Sequence, residues 1–185
     1  MDICGVQLRP LQTHDDDRGS VTEVFREGWC SEPYLQWNYV RSGEGVLRGV
    51  HGHFRHSDYL VLLEGAALIG LRDMRRGSPS EGRVALVEMG GDRLQTLTIP
   101  PGVAHGFYFS RPSMLVYAVT HYWNTDDELG CRWDDPELGI PWPIQSARVS
   151  PRDTALPGFQ VFLKEIQMRV EGSGKGLDVG VKADT

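Results

Sequence analysis

The sequence has few cysteines, no long apolar run and no excess of positive charge, and each shortage excludes a class of protein. The three cysteines, Cys4, Cys30 and Cys131, are far apart and form no CxxC pair. This excludes a disulfide framework or a zinc ribbon and indicates reduced thiols. No stretch approaches the roughly 20 apolar residues of a membrane span, and the first residues lack the pattern of a signal peptide. We therefore expect a cytoplasmic protein with no membrane partner.

The formal net charge of −6 argues against a nucleic-acid partner, because such proteins carry clusters of basic residues on one face. An anionic ligand would have to be bound by a few locally placed arginines. The 185 residues, 40% of them hydrophobic, suffice for one domain with a buried core. We expect one domain over residues 1–171 and a flexible, glycine-rich tail over residues 172–185.

Short segments of alternating polar and apolar residues predict an all-β fold. Glycine- and proline-containing turns separate them at 8–12-residue spacing, which is typical of a sandwich or a small barrel. Residues 158–170 predict one short C-terminal helix. The predicted strands cover residues 20–25, 34–40, 46–53, 58–64, 65–72, 84–89, 95–99, 105–109 and 113–123.

Three of the six histidines, His51, His53 and His56, lie on one predicted strand and its exit. Alternate residues of a strand share a face, so His51 and His53 should line the same side. Together with Asp58 and His105 they would suit Fe, Mn, Ni or Zn. The spacing resembles the metal motifs of the cupin superfamily, G-x5-H-x-H-x4-E-x6-G and P-x-G-x2-H, with Asp58 in place of Glu. This resemblance implies a cupin-type jelly roll and leaves a metal-dependent enzyme using His51, His53, Asp58 and His105 as one possible function.

A second resemblance covers the chain from about residue 17 to about residue 153. The segments that carry it are Asp17-Arg-Gly19 with Glu23 and Phe25, Gln36-x-Asn38, Val46-Leu-Arg-Gly-Val-His51, Gly77-Ser-Pro79, Ile99-Pro-Pro-Gly-x-Ala-His-Gly-Phe107, Val116-Tyr117, Tyr122-Trp123 and Trp133-Asp-Asp-Pro-Glu-Leu-Gly-Ile-Pro-Trp-Pro143. In this order they resemble the nucleotide-sugar 4-keto-6-deoxyhexose 3,5-epimerases of the dTDP-rhamnose type. Those are metal-free enzymes with a cupin fold, so no cofactor is implied.

Inversion of a carbon next to a ketone needs a base on one face, an acid on the other and a donor for the enolate oxygen. The resemblance implies that His51 is the base, that Asp153 orients it and that Tyr117 is the acid. Each residue taken alone also has an ordinary structural reading. Tyr117 lies on an apolar strand that could belong to the core, and Asp153 in Ser-Pro-Arg-Asp could be a cap or turn residue.

The family also implies a nucleotide-sugar substrate, dTDP-linked, and a homodimer. Part of the family's binding set comes from exchanged N-terminal strands of the partner subunit, which would also cover exposed strand edges. Arg18 and Gln36 would hold the diphosphate, and Arg48 would lie near the phosphates or the enolate. The substrate-binding residues implied are Arg18, Glu23, Phe25, Gln36, Asn38, Arg48, His105 and Trp123.

The sequence departs from the family just after the base. His53 replaces a Gln, and Asp58 stands where the family has a Lys. A carboxylate there would oppose the negative charge of an enolate, unless Arg55, His56 or a metal ion neutralises it. Inversion at C3, at C5 or at both, and the identity of the sugar, therefore stay open. A sugar-nucleotide-binding relative without turnover is a third alternative.

Overall fold

The computed structural model describes residues 2–172, so the predicted flexible tail over residues 172–185 lies outside the described residues except for its first position. Within this range the chain forms twelve β-strands and two α-helices. Their bounds are β1 Gln7–Pro10, β2 Thr13–Asp16, β3 Gly19–Thr22, β4 Gln36–Ser42, β5 Val46–Gly52, β6 Asp58–Glu64, β7 Ala66–Asp73, β8 Val84–Gly90, β9 Gln95–Ile99, β10 Val103–Phe109, β11 Ser113–Val119, β12 Leu129–Gly130, α1 Pro151–Thr154 and α2 Phe159–Gly172. No helix in residues 2–172 is long and apolar enough to cross a membrane.

Two five-stranded antiparallel sheets form the body of the protein. The first has the strand order β1-β9-β6-β11-β4, and the second has the order β12-β5-β10-β7-β8, while β2 and β3 pair only with each other. Sequential strands alternate between the two sheets in several places, which is the arrangement of a jelly roll. The predicted all-β, cupin-type fold is therefore confirmed.

The core between the sheets follows from the period of two along each strand. On β7, Ala67, Ile69 and Leu71 are buried at alternate positions, and they pack in one apolar cluster with Leu60 and Leu115 of the first sheet. Leu60 and Leu115 also line a cavity between the sheets. The apolar core and the cavity therefore lie side by side between the two sheets and share these two leucines.

The outer face of the second sheet is covered by α2. Phe159, Phe162 and Ile166 form its buried stripe, at the spacing expected for one helix face. Val50 of β5 packs against this stripe. A Cβ atom on Gly52 would lie 2.7 Å from the Cδ1 atom of Ile166, so the helix requires glycine at that position. The short C-terminal helix predicted from the sequence is confirmed.

Strand β5 contains a β-bulge next to the cavity. Two of its residues, Gly49 and Val50, stand opposite a single residue of β10, Gly106. The extra residue shifts the alternation of side chains, so Arg48 and His51, three positions apart, both line the cavity. Gly49 has a φ of 113°, and a Cβ atom there would lie 2.9 Å from the Cα of Gly106, so the bulge depends on this glycine.

The N-terminal hairpin differs from the sequence prediction. The predicted strand that continued to Phe25 ends at Thr22. Phe25 leaves the strand and packs edge-on against Tyr59, with ring centroids 5.5 Å apart, whereas Glu23 stays at the surface and pairs with Arg26. The predicted strand over residues 20–25 was therefore wrong at its end, where packing of the aromatic ring replaces strand pairing.

Candidate active site

A cavity of about 500 Å³ lies between the two sheets and contains most of the residues predicted from the sequence. It is polar on the walls formed by β5, β10 and the loop before α2, and more apolar where it meets the core. The predicted site residues that line it are Asn38, Arg48, His51, His105, Tyr117, Trp123 and Asp153.

The closest contact among them joins His51 and Asp153. The Nε2 atom of His51 lies 2.7 Å from Oδ1 of Asp153, and Ser150 fixes the start of α1 by accepting a hydrogen bond from the Asp153 amide. Burial would raise the pKa of Asp153, but the hydrogen bond and charge of His51 outweigh it and lower that pKa. Since an ionised carboxylate only accepts, Nε2 of His51 carries a hydrogen, and Nδ1 is the nitrogen left to act as a base.

Tyr117 lies on β11, in the sheet opposite the one that carries His51. Burial, together with the negative charges of Asp58 and Glu128, raises the pKa of the Tyr117 phenol. The phenol is therefore protonated at neutral pH and available as a proton donor. A base and an acid thus approach the cavity from opposite walls, as inversion of a carbon centre requires.

Gln36 and Asn38 form an ordered pair of amides beside the cavity. The backbone N–H of Trp123 donates to Oε1 of Gln36, so the amide of Gln36 is fixed and its Nε2 atom donates to Oδ1 of Asn38 at 3.0 Å. The Nδ2 atom of Asn38 is buried and makes no hydrogen bond within residues 2–172. Asn38 therefore presents N–H donors to the cavity, and Gln36 orients it without lining the cavity itself.

Arg48 stands at the exposed edge of the cavity and donates from Nε to Ser42 and from Nη2 to the carbonyl of Arg41.

The cavity is also lined by polar residues that the sequence reasoning did not select. Glu128 and Arg152 form an ion pair with 2.7 Å between Nη2 and Oε2. Glu128 lies in a loop-rich segment and Arg152 in the single turn of α1, and neither segment has a periodicity that indicates which way a side chain faces. Their only sequence signal is the position of Arg152 immediately before Asp153.

Four predicted binding residues do not line the cavity of their own chain: Arg18, Glu23, Phe25 and Gln36. Arg18 is exposed and pairs with Asp16 on the β2–β3 hairpin. The hairpin pairs with neither large sheet. No strand pairing therefore fixes the position of Arg18 relative to the cavity of its own chain.

A second imidazole–carboxylate pair is buried at the wall of the cavity. Nδ1 of His56 lies 2.9 Å from Oδ2 of Asp127, off the line of a well-aligned hydrogen bond, so we regard the contact as an ion pair. Burial would lower the pKa of His56, but Asp127, Asp58 and neighbouring charges outweigh it and raise that pKa. Of the two residues expected to neutralise Asp58, Arg55 lies over the ring of Phe54, whereas His56 lines the cavity.

Within residues 2–172, two overlapping groups of side chains could hold a metal ion. They are His53 with Asp58 and His105, and His53 with His56 and Asp127, and in each group the ligand atoms lie within 4.8 Å of one another. The predicted set of four does not form, because His51 is bonded to Asp153.

Comparison with known proteins places this chain in a family. The family model for dTDP-4-dehydrorhamnose 3,5-epimerase matches residues 1–161. A dTDP-4-dehydrorhamnose 3,5-epimerase of Neisseria gonorrhoeae is 36% identical over 159 residues, which is 81% of this chain and 48% of that protein, so the chain spans about half its length. The spore coat polysaccharide biosynthesis protein SpsL of Bacillus subtilis is 34% identical over 145 residues, 76% of this chain and 96% of that protein.

Among solved structures, the dTDP-6-deoxy-D-glucose-3,5-epimerase RmlC of Legionella pneumophila, in complex with dTDP-4-keto-L-rhamnose, superimposes with a TM-score of 0.81. It is 28% identical, and the match covers 88% of this chain and 92% of that one. These matches do not support the alternative of a metal-dependent cupin enzyme. The chain belongs to the dTDP-4-dehydrorhamnose 3,5-epimerase family.

Proposed function

We propose that the protein inverts C3, C5 or both of a nucleotide-diphosphate-linked 4-keto-6-deoxyhexose, with dTDP as the nucleotide, in deoxysugar biosynthesis. The observation that carries this proposal is the His51–Asp153 pair, open to the cavity and facing Tyr117 on the opposite sheet. His51 and Tyr117 on opposite walls of one cavity support the reaction, and the family match supports it as well.

In the proposed mechanism, Nδ1 of His51 removes the proton from the carbon next to the ketone, and Asp153 stabilises the imidazolium that forms. The electron pair of the broken C–H bond moves to the ketone oxygen as an enolate. Tyr117 then donates its phenolic proton to the opposite face of the same carbon, and the ketone is restored. The phenolate regains a proton from solvent while His51 releases one, so the protein returns to its starting state.

The chain provides hydrogen-bond donors for the substrate's oxygens. The buried and otherwise unpaired Nδ2 of Asn38 is placed to donate to the enolate or to a sugar oxygen. Arg48 stands at the exposed edge of the cavity, and Arg148 and Arg152 also line it. These three guanidinium groups would hold the diphosphate, because a locally positive edge suits an anion in a protein of net negative charge. Catalysis by these residues requires no cofactor.

The deuterium-exchange experiment tests the reaction. A panel of 4-keto nucleotide sugars incubated in deuterated buffer should incorporate deuterium at C3, C5 or both, and His51→Asn should abolish incorporation. His121→Asn, outside the cavity, is the matched control and should exchange like the wild type. If no sugar of the panel acquires deuterium after long incubation, the proposed activity is wrong. Tight nucleotide binding without exchange would instead support a binding protein that lacks turnover.

We further propose that residues 1–171 act as one cytoplasmic domain in a homodimer with exchanged N-terminal strands. Strand β4 is a sheet edge, and it carries the half-exposed rings of Trp37 and Tyr39. A second copy would cover this edge. Exchange of its N-terminal segment, in which the ring of Phe25 would leave Tyr59, would bring Arg18, Glu23 and Phe25 to the neighbouring cavity. Gln36 would act on Asn38 from within its own chain.

Mixing two inactive variants tests the exchange. In a heterodimer of His51→Asn and Arg18→Ala subunits, one cavity receives both defects and the other receives neither, provided that Arg18 acts in the partner's site. Refolding the variants together should then restore activity to a fraction of the sites. No restoration, with dimers present by light scattering, would show that Arg18 does not serve the partner's cavity.

A further inference from the structure

One of the segments that carry the family resemblance, residues 133–143, has no part in the cavity. The structure describes all of these residues, and none of them lines the cavity. Trp142 instead packs on the apolar cluster at the outer face of the second sheet, the cluster that contains Val50 of β5. Nη1 of Arg72 on β7 donates to two backbone carbonyl oxygens of the segment, at 2.7 Å and 2.6 Å. The segment is therefore fixed to the back of the sheet that carries the base.

The indole of Trp142 lies against two glycines that face each other on neighbouring strands. Gly70 of β7 pairs with Gly106 of β10. A Cβ atom on Gly70 would lie 2.6 Å from the Cζ2 atom of Trp142, and a Cβ atom on Gly106 would lie 3.4 Å from the same atom. Any larger residue at position 70 would overlap the ring, so the two glycines form a flat patch that admits the indole.

This patch is the back of the β-bulge. Gly106 is the single residue of β10 that stands opposite Gly49 and Val50. A Cβ atom on Gly106 would lie 3.0 Å from Cγ2 of Val50 and 3.4 Å from the carbonyl oxygen of Arg48. The side chain of Val50 and the indole of Trp142 therefore both contact this glycine, on the face of the sheet that points away from the cavity.

The indole acts through its shape and not through its N–H group. Nε1 of Trp142 is buried and makes no hydrogen bond within residues 2–172. Since an unpaired buried donor is a cost, the N–H group does not hold the ring in place. What the side chain provides is a large, rigid and flat surface over the two glycines.

We propose that Trp142 is a positioning residue, whose indole packs behind the bulge and holds β5 in the conformation that directs Arg48 and His51 into the cavity. The inference rests on the proposed function, because it takes His51 to be the base. A side chain outside the cavity thus controls how far the imidazole stands from the carbon that it deprotonates. Misplacement of a catalytic group by about 1 Å costs on the order of 100-fold in rate, so even a small relaxation of the bulge should lower kcat.

Replacement of the indole by a smaller side chain tests the proposal. We expect Trp142→Leu to lower kcat for deuterium exchange at least about 10-fold. The 13Cε1 resonance of His51, followed by NMR with labelled histidine and assigned with His51→Asn, should also shift, and this measurement needs no turnover. Trp142→Phe removes less volume and serves for the same measurements if Trp142→Leu does not fold.

The matched control is Leu163→Ala, which truncates a side chain of α2 that packs on the same apolar cluster. Its midpoint of urea unfolding should fall, as that of Trp142→Leu should. Its kcat should stay within about 3-fold of the wild type, and its His51 resonance should not move. A role in stability alone would affect both variants alike, whereas a positioning role affects only the tryptophan variant.

The unfavourable outcomes separate the two proposals. If Trp142→Leu keeps kcat within about 3-fold of the wild type, or leaves the His51 resonance unchanged, the positioning role is wrong and the epimerase proposal stands. Equal losses of kcat in Trp142→Leu and Leu163→Ala would also overturn the positioning role, because they would follow from general destabilisation. If the wild type exchanges deuterium into no sugar, the proposed function fails, and the NMR comparison still decides whether the indole positions His51.

Discussion

Two imidazole–carboxylate pairs stand in the same region of the molecule and differ mainly in their access to solvent. In the pair of His51 and Asp153 the side chains are 19% and 7% exposed, and the imidazole opens to the cavity. In the pair of His56 and Asp127 the corresponding values are 2% and 1%. The interatomic distances, 2.7 Å and 2.9 Å, are nearly the same.

The two pairs consist of the same residue types, so it is the exposure of the imidazole to the cavity and solvent that distinguishes a catalytic pair from a structural one. His51 can exchange a proton with a substrate carbon and then with solvent. The side chain of His56 borders the cavity but is only 2% exposed. Its partner Asp127 also accepts a hydrogen bond from the backbone N–H of Phe54. We call His56 and Asp127 the sealed pair, and His51 and Asp153 the open pair. The sealed pair holds a charge next to Asp58 and fixes the loop that contains Asp127, whereas the imidazole of the open pair can act as a base.

The sharpest test of this division is the loss of the open imidazole. We expect His51→Asn to lower kcat by about 10³- to 10⁴-fold, because a positioned general base contributes up to that factor. The free energy of unfolding should change by less than about 1 kcal/mol, since the position is partly exposed. Steady-state kinetics and urea titration measure the two effects. A large loss of stability with nearly normal kcat would reverse the assignment of the two pairs.

The sealed pair should show the opposite behaviour. Asp127→Asn leaves the His56 charge without its partner, and breaking a buried pair costs about 3 kcal/mol or more. Chemical denaturation should show this loss, while the neighbouring, exposed Asp126→Asn should stay within about 0.5 kcal/mol of the wild type. Equal stabilities of the two variants would mean that the buried contact contributes nothing to folding.

Removing the charge from the open pair should affect turnover rather than substrate binding. We expect Asp153→Asn to reduce kcat about 100-fold with KM nearly constant, because the amide no longer stabilises the imidazolium of His51. Ser150→Ala, which removes only the cap that holds the Asp153 amide, is the milder companion and should cost less. A change confined to KM would indicate that Asp153 acts on binding.

The smallest effect expected is a pH dependence of stability that belongs to the sealed pair. The pKa of Asp127 is lowered from 3.8, so its contribution is present above that pH and is lost as the pH falls through the lower, folded value. The pKa of His56 is raised from 6.5, so its contribution is present below that pH and is lost as the pH rises through the higher, folded value.

The two contributions are therefore complete together between pH 3.8 and pH 6.5. The difference in unfolding free energy between wild type and Asp127→Asn should be largest in this window and should decline on both sides, by on the order of 1 kcal/mol. Thermal or urea unfolding at a series of pH values measures it. A difference that is constant across the series would exclude an ion pair.

The sequence predicted most of the strands because alternation and turn residues are local signals. It also selected His51, Tyr117 and Asp153 as candidate catalytic residues through short motifs, and the structure brings them to one cavity. It did not reveal the pair of His56 and Asp127, because the two residues come from separate loops and neither loop has a period. Pairing between such segments depends on tertiary packing, which no local pattern reports.

The positions of the N-terminal residues relative to the cavity were the hardest to predict from the sequence. Arg18 and Phe25 matched the family motifs, yet a motif does not say which subunit's cavity a residue enters. The common face of Arg48 and His51 was equally hidden, since strict alternation puts residues three apart on opposite faces. Only the pairing of β5 with β10 shows the extra residue that brings them together.

The bulge in β5 also determines which change in chain length the site can accept. A regular strand needs only one residue between two side chains of the same face, so loss of a single codon at position 49 or 50 would restore regular alternation and still leave Arg48 and His51 on the cavity side. No substitution mimics that change. What it would remove is the local bend that the extra residue gives to β5, and with it the present spacing of the two side chains.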